Sequence, residues 1–308
     1  MAFTMHSHSG QFCPGHAVDQ LEDIIRHAIS VGYKTMGLTE HMPRYHERDL
    51  YPEERDDPQA SLEALPPRHE AYMVEAQRLQ TKYASEIQIL IGFEAEFIRS
   101  EFGPLVRALA EPPYVDYFIG SVHHVHSLPI DYDAATFAAA VKAAGGSEER
   151  LYEDYYDLQH QMLTALRPRV VGHFDLIRLL SEKPDRDVRQ WKGVWARITR
   201  NLELAASQGG WLECNTAALR KGLDEPYPCR VIAEEWLKLG GKFTMSDDSH
   251  GIGHIGTNYA RGVSYLETLG VEHVWTLSRQ PPPGAESSTV TSLEDTPVSL
   301  AEFRKHFA

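Results

Sequence analysis

The stretch VDQLEDIIRHAISVGYKTMGLTEH, residues 18–41, holds one full unit of the architecture. Leu21, Ile24, Ile25 and Ala28 recur at the spacing of an amphipathic helix over Val18–Val31. Tyr33–Thr39 follows as a short run suited to a buried strand. That strand ends in Glu40-His41, side chains that offer chemistry more than packing.

The same alternation continues on both sides. Further strands are predicted at Ala2–His8, Ile87–Phe97, Val115–Val125, Arg169–Asp175, Gly210–Thr216 and Lys242–Ser246. Helical patterns lie at His69–Ala84, Glu149–Leu166, Val188–Ser207 and Val231–Leu239. Repeated strand–helix units predict an α/β fold on a parallel sheet, closed as a barrel or open and doubly wound. Gly145-Gly146-Ser147 separates two helical segments, and residues 280–295 read as an exposed loop before a short terminal helix at Val298–Phe307. Neither break sets off enough chain for a second domain, so residues 1–308 are expected to form one.

The formal net charge of −14 argues against a nucleic-acid partner, which is held by lysines and arginines on phosphates. A small phosphorylated metabolite needs only a few local cations. No apolar run reaches the roughly 18 to 20 residues that span a bilayer, and the start of the chain lacks a signal-peptide pattern. A cytoplasmic location without membrane contact is therefore expected. The three cysteines, Cys13, Cys214 and Cys229, form no disulfide framework. Cys13 lies near possible ligands but is expected to be packed. Oligomeric state is not legible.

The 16 histidines matter for where they fall. His6 and His8 close the first strand, with alternation pointing both to one face. The other strand ends bear Glu40-His41, Glu94 and Glu96, His123-His124, His173, and Asp247-Asp248 with His250. Each alone is an ordinary strand-end residue. Together they place a histidine or carboxylate at six strand ends, and in parallel α/β folds those ends converge on one mouth. Burying so many ionisable groups without a cation is costly. Mixed imidazole and carboxylate ligation suits zinc, iron or manganese. A metal-dependent hydrolase is the reading. Of each adjacent pair, His123-His124 and Asp247-Asp248, one member is expected to face the metals; the spacing to His250 favours Asp248.

These residues resemble the PHP (polymerase and histidinol phosphatase) family. The motifs are HSHS at 6–9, TEHMPR at 39–44, GFE at 92–94, GSVHH at 120–124, GHFD at 172–175 and SDDSH at 246–250. LTEHMPRY at 38–45, GHFDLIR at 172–178, ECNTAALRKG at 213–222 and EPYP at 225–228 are similar to the monofunctional, yeast-type histidinol-phosphatase branch. The resemblance implies a distorted seven-stranded parallel βα barrel, TIM-like, with three divalent metal ions. His6, His8, Glu94 and Asp248 would hold one; Glu94, shared with His123 and His173, a second; His16, His41 and His250 the third. It favours His123 over His124.

The implied activity is hydrolysis of L-histidinol phosphate, a step of histidine biosynthesis, by a metal-bridged hydroxide, with Glu94, Asp248 and His250 catalytic. Asn215, Arg220 and Lys221 after the sixth strand, Arg178 after the fifth, and Arg44 are candidates to bind the phosphate, arginine being suited to bidentate contacts. The acidic stretch Glu47–Asp57 is a candidate wall for the substrate's cationic groups. A phosphodiesterase or exonuclease of the same family is the alternative, and a non-catalytic metal-binding regulatory protein a more distant one.

Overall fold

All seven predicted strands are present and lie side by side in chain order. The computed structural model describes residues 1–280 and 292–307. Its strands are β1 (Ala2–Thr4), β2 (Tyr33–Leu38), β3 (Gln88–Glu96), β4 (Tyr117–Ser121), β5 (His124–Val125), β6 (Leu128–Pro129), β7 (Val170–Val171), β8 (Trp211–Asn215), β9 (Lys242–Ser246), β10 (His273–Gln280) and β11 (Ser292–Ser299). The main sheet runs β1-β2-β3-β4-β7-β8-β9, every neighbouring pair parallel. Beyond β9 the sheet nearly closes on itself. The Met5 amide donates to the Met245 carbonyl at 3.1 Å, and Ser7 bridges Ser249. The result is a nearly closed seven-stranded βα barrel.

β3 shows why the sequence folds this way. Ile89, Leu90, Ile91, Phe93 and Ala95 are all buried, as a barrel strand covered on both faces requires. Around the barrel, α1 (Leu21–Ser30) buries Leu21, Ile24, Ile25 and Ala28, the residues that define its periodicity. The remaining helices are α2 (Pro58–Lys82), α3 (Phe102–Ala110), α4 (Ala134–Ala143), α5 (Glu148–Leu166), α6 (Lys192–Ser207), the single turn α7 (Ala217–Arg220), α8 (Arg230–Lys238), α9 (Tyr259–Thr268) and α10 (Leu300–Arg304). None of the described helices is long and apolar enough to cross a membrane.

Several boundaries differ from expectation. The ladder stops at Thr4 in the first strand and spans only Val170–Val171 in the fifth, so most of the histidines stand past the strand ends. α2 begins well before the expected start at His69 and runs through Pro66 and Pro67. It starts at Pro58, where a missing N–H is tolerated, behind Asp57, whose carboxylate accepts from the Ala60 amide. The pattern at Val188–Ser207 divides into a 3-10 turn, Val188–Gln190, and α6.

The expected loop at 280–295 is corrected at both ends. Gln280 and Ser292–Asp295 belong to the antiparallel pair β10–β11, and residues 281–291 lie outside the described residues. The same pair takes Val298 and Ser299 from the expected terminal helix, which is α10. Gln88 fastens this hairpin to β3, donating to the Leu277 carbonyl and accepting from the Arg279 amide.

Candidate metal centre

The barrel brings the strand-end groups to one place. His6 and His8 lie just past β1, while His41 pairs with Glu94 in an isolated bridge at the end of β2. His123 follows β4, His173 follows β7, and Asp248 and His250 follow β9. Asp248 has a φ of +47°, so a left-handed turn, not strand alternation, sets its side chain beside His250.

Glu94 stands at the centre. Its Oε1 lies 3.0 Å from His173 Nε2 and 3.4 Å from His123 Nε2. Its Oε2 lies 3.1 Å from His41 Nδ1, 3.3 Å from His6 Nε2 and 3.5 Å from His8 Nε2. One carboxylate thus faces two separate groups of imidazoles. Asp248 Oδ1 approaches His8 Nε2 at 3.5 Å, His250 Nδ1 at 3.6 Å and His6 Nε2 at 3.7 Å. Three groups are close enough to share an ion: His6, His8 and Asp248; Glu94, His123 and His173; His8, His41 and His250.

Buried partners fix how the rings are presented. Glu213 lies behind His6, its oxygens 3.0 and 3.2 Å from Nδ1. It also accepts from the His173 amide at 2.6 Å and from Asn215 Nδ2 at 3.0 Å. With Nδ1–H donated to a carboxylate, His6 turns a bare Nε2 toward the cluster. His250 Nδ1 lies 2.9 Å from the Asp248 carbonyl, which leaves its Nε2 free. Asn215 Nδ2 also donates to Asp248 Oδ2 at 3.2 Å, and Arg220 donates to the carbonyls of Asp247 and Asp248, both at 2.9 Å. These groups hold the Asp248 turn from behind.

A cation fits this donor set. His6 Nε2 and both ring nitrogens of His8 are buried and have no hydrogen-bond partner among the described residues. His123 Nε2 and His173 Nε2 face each other at 3.1 Å. Burial alone would raise the carboxyls of Glu94 and Asp248, but the imidazoles around them, His6 foremost, hold both well below the usual range. Burial pushes His41 and His250 well below an ordinary imidazole, and His8 beside them adds to the effect. At His6 the effect of burial is outweighed by Asp248, Glu213 and Glu94, which raise it. Ionised carboxylates beside the lowered imidazoles of His8, His41 and His250 are deprotonated donors of the kind that divalent ligation requires, while at His173, as at His6, the carboxylates outweigh burial and raise the ring.

The structure separates the adjacent pairs. His123 reaches Glu94, whereas His124 is buried against Tyr51 with ring centroids 4.9 Å apart. Asp247 accepts from Tyr33 at 2.7 Å, the Gly256 amide at 2.8 Å and Thr4 at 3.0 Å, away from the cluster. His16 sits on the rim, its side chain 42% exposed, with its ring 4.9 Å from that of His250. Cys13 joins none of the three groups.

Among the expected phosphate cations, Lys221 lines the cavity over the cluster. Two arginines are engaged elsewhere. Arg44 is buried between Glu96 and Glu54. Arg178 is buried on Asp175 and the carbonyls of Glu225 and Pro226. The acidic stretch is likewise taken up, since Asp49 pairs with Arg99 and Glu54 with Arg44. Glu53 alone of these approaches the mouth, 3.8 Å from His16. Sequence reading missed Glu213, whose burial behind a ligand has no local signature. It also missed Tyr51, Asp131, Tyr132 and Leu176, which complete the cavity wall from separate loops.

The PHP domain model matches residues 4–217. The chain is 41% identical over 282 residues to a probable histidinol-phosphatase of Schizosaccharomyces pombe, covering 91% of each chain. It is 29% identical over 309 residues to the histidinol-phosphatase of Saccharomyces cerevisiae, covering 90% of this chain and 92% of the relative. A solved histidinol phosphate phosphatase from Lactococcus lactis, complexed with zinc, L-histidinol and phosphate, shares the fold with a TM-score of 0.68. That match has 19% identity and covers 89% of this chain and 96% of the other.

Proposed function

The chain belongs to the PHP domain family, beside the fungal histidinol-phosphatases, and from that premise we propose that it hydrolyses L-histidinol phosphate to L-histidinol and inorganic phosphate in a metal-dependent reaction. The observation that carries the chemistry is Glu94. Its two oxygens face His123 with His173 on one side and His6, His8 and His41 on the other, the arrangement of a bridging ligand.

In this reading three divalent ions, of zinc, manganese or iron, would be held by His6, His8, Glu94 and Asp248; by Glu94, His123 and His173; and by His41 and His250 with His16. The spacing also supports His8 as a partner of His41 and His250. When bound, such ions would supply a water acidified toward neutrality and positive charge for the phosphoryl oxygens.

The chain's own residues do the rest. Glu213 and Asn215 set the facing atoms of His6 and Asp248, and Arg220 clamps the Asp248 turn and places a guanidinium behind it. Lys221 extends positive charge along the wall where a phosphate dianion would enter. His6, His8, Glu94, His173 and Asp248 are buried, and charges shielded from water interact more strongly.

Phosphate release from L-histidinol phosphate, bis(p-nitrophenyl) phosphate and single-stranded DNA tests the proposal. Metal-replete protein is expected to cleave the monoester alone. Diester or DNA cleavage without monoester turnover would replace this reading with the phosphodiesterase one.

A further inference from the structure

L-Histidinol phosphate has two ends of opposite charge, a phosphate dianion and an ammonium. The cavity above the cluster is charged in the same divided way. Beyond the cluster residues, its wall is made by Tyr51, Asp131, Tyr132, Leu176 and Lys221. Lys221 is the cation among these, and Asp131 the carboxylate.

The other carboxylates of this region have partners: Glu96 with Arg44 and His41, Glu54 with Arg44, Asp49 with Arg99, and Glu53, on the rim, 3.8 Å from His16. Asp131 differs. Its Oδ1 is shielded from solvent and has no hydrogen-bond partner among the described residues. A shielded, unpaired carboxylate oxygen is costly, and a cationic N–H donor from a ligand removes that cost.

Asp131 is also held in place. On one side the Ile130 amide donates to the His123 carbonyl at 2.9 Å, tying the segment to a cluster residue, and the Ile130 side chain is buried. On the other side Asp133 caps α4, accepting from the Thr136 amide at 2.7 Å. A carboxylate fixed between two anchors loses little freedom when it binds.

Building on the proposed activity, we propose that Asp131 receives the substrate's ammonium group and gives the cavity its preference for cationic phosphomonoesters. The phosphate end lies toward the cluster and Lys221, the ammonium end toward Asp131. Asp131 is thus a specificity-determining residue that takes no part in bond breaking.

Asp131→Asn tests this with three substrates: L-histidinol phosphate, 3-(imidazol-4-yl)propyl phosphate, which lacks the ammonium, and p-nitrophenyl phosphate. The expected result is a fall of about 10- to 100-fold in kcat/KM for L-histidinol phosphate, mainly through KM. The other two substrates should change by less than about threefold, with metal content as in the wild type. An equal fall on all three substrates, or loss of metal, would overturn the assignment in favour of a structural role. A shared fall on both imidazole substrates would overturn it in favour of imidazole recognition, and an unchanged L-histidinol phosphate value would overturn it outright. Wild-type protein that cleaves p-nitrophenyl phosphate but not L-histidinol phosphate would remove the functional reading itself.

Discussion

Glu94 and Glu213 are both buried carboxylates in strands, and they do different work. Glu94 meets two groups of imidazoles, so Glu94→Gln is expected to lose ions from both and abolish turnover. Elemental analysis and a phosphate-release assay check this, and wild-type kcat at wild-type metal content would refute it. Glu213 acts through His6, so Glu213→Gln should lower metal affinity or activity by roughly 10- to 100-fold, not abolish it. Titration of stripped protein with the metal ion reads that shift directly. Glu94 was legible in the sequence because it lies near the end of a strand, as polar residues do at five other strand ends. Glu213 was not, since a carboxylate inside an apolar strand shows its purpose only when the ring it supports comes into view. Asp131 was hidden for a similar reason: its neighbours in the cavity come from distant loops.

Among the elements, strands with strong apolar runs were readable, but strands predicted to run on into their polar ends, Ala2–His8 and Arg169–Asp175, stop short of them. β9 matches its predicted bounds at Lys242–Ser246, while β1 stops at Thr4 because the chain there turns to present His6 and His8. The β10–β11 hairpin escaped notice, since its pairing joins His273 to Ser299 across a long intervening segment. Behind the cluster, the Tyr33 hydroxyl on β2 donates to Asp247 after β9 at 2.7 Å. Tyr33→Phe leaves that oxygen less satisfied and should cost about 1 to 3 kcal/mol in urea unfolding; an unchanged midpoint would show the link to be idle. On α2, burial lowers His69 to about 4. Its ring lies near those of Tyr72 and Phe93. Because the folded value is below the unfolded one of 6.5, the unfolded chain takes up the proton first as pH falls. This group therefore costs no stability above about pH 6.5 and progressively more from there down to about 4. His69→Phe should narrow the gap in Tm between pH 8 and pH 5 relative to wild type. An identical gap in both proteins would contradict it.

For the whole molecule, a parallel barrel converges its strand ends on one mouth, and this chain places imidazoles and carboxylates at nearly every one. Such a mouth ties stability to metal. Ions that bind the folded chain and not the unfolded one stabilise it by mass action, so chelation should lower Tm and metal should restore it. The parallel sheet and the location of the cluster were legible from the alternation of elements, and the closure of that sheet as a barrel from the family resemblance. The division of charge in the cavity was not, because it depends on which arginines the fold engages internally. The most direct measurement is phosphate release from L-histidinol phosphate as a divalent metal is titrated into fully stripped protein. Activity should be absent at the start and rise only as more than one ion binds per chain, with Glu94→Gln remaining flat. Full activity in the stripped protein, or equal recovery by Glu94→Gln, would contradict a Glu94-bridged metal centre as the seat of catalysis.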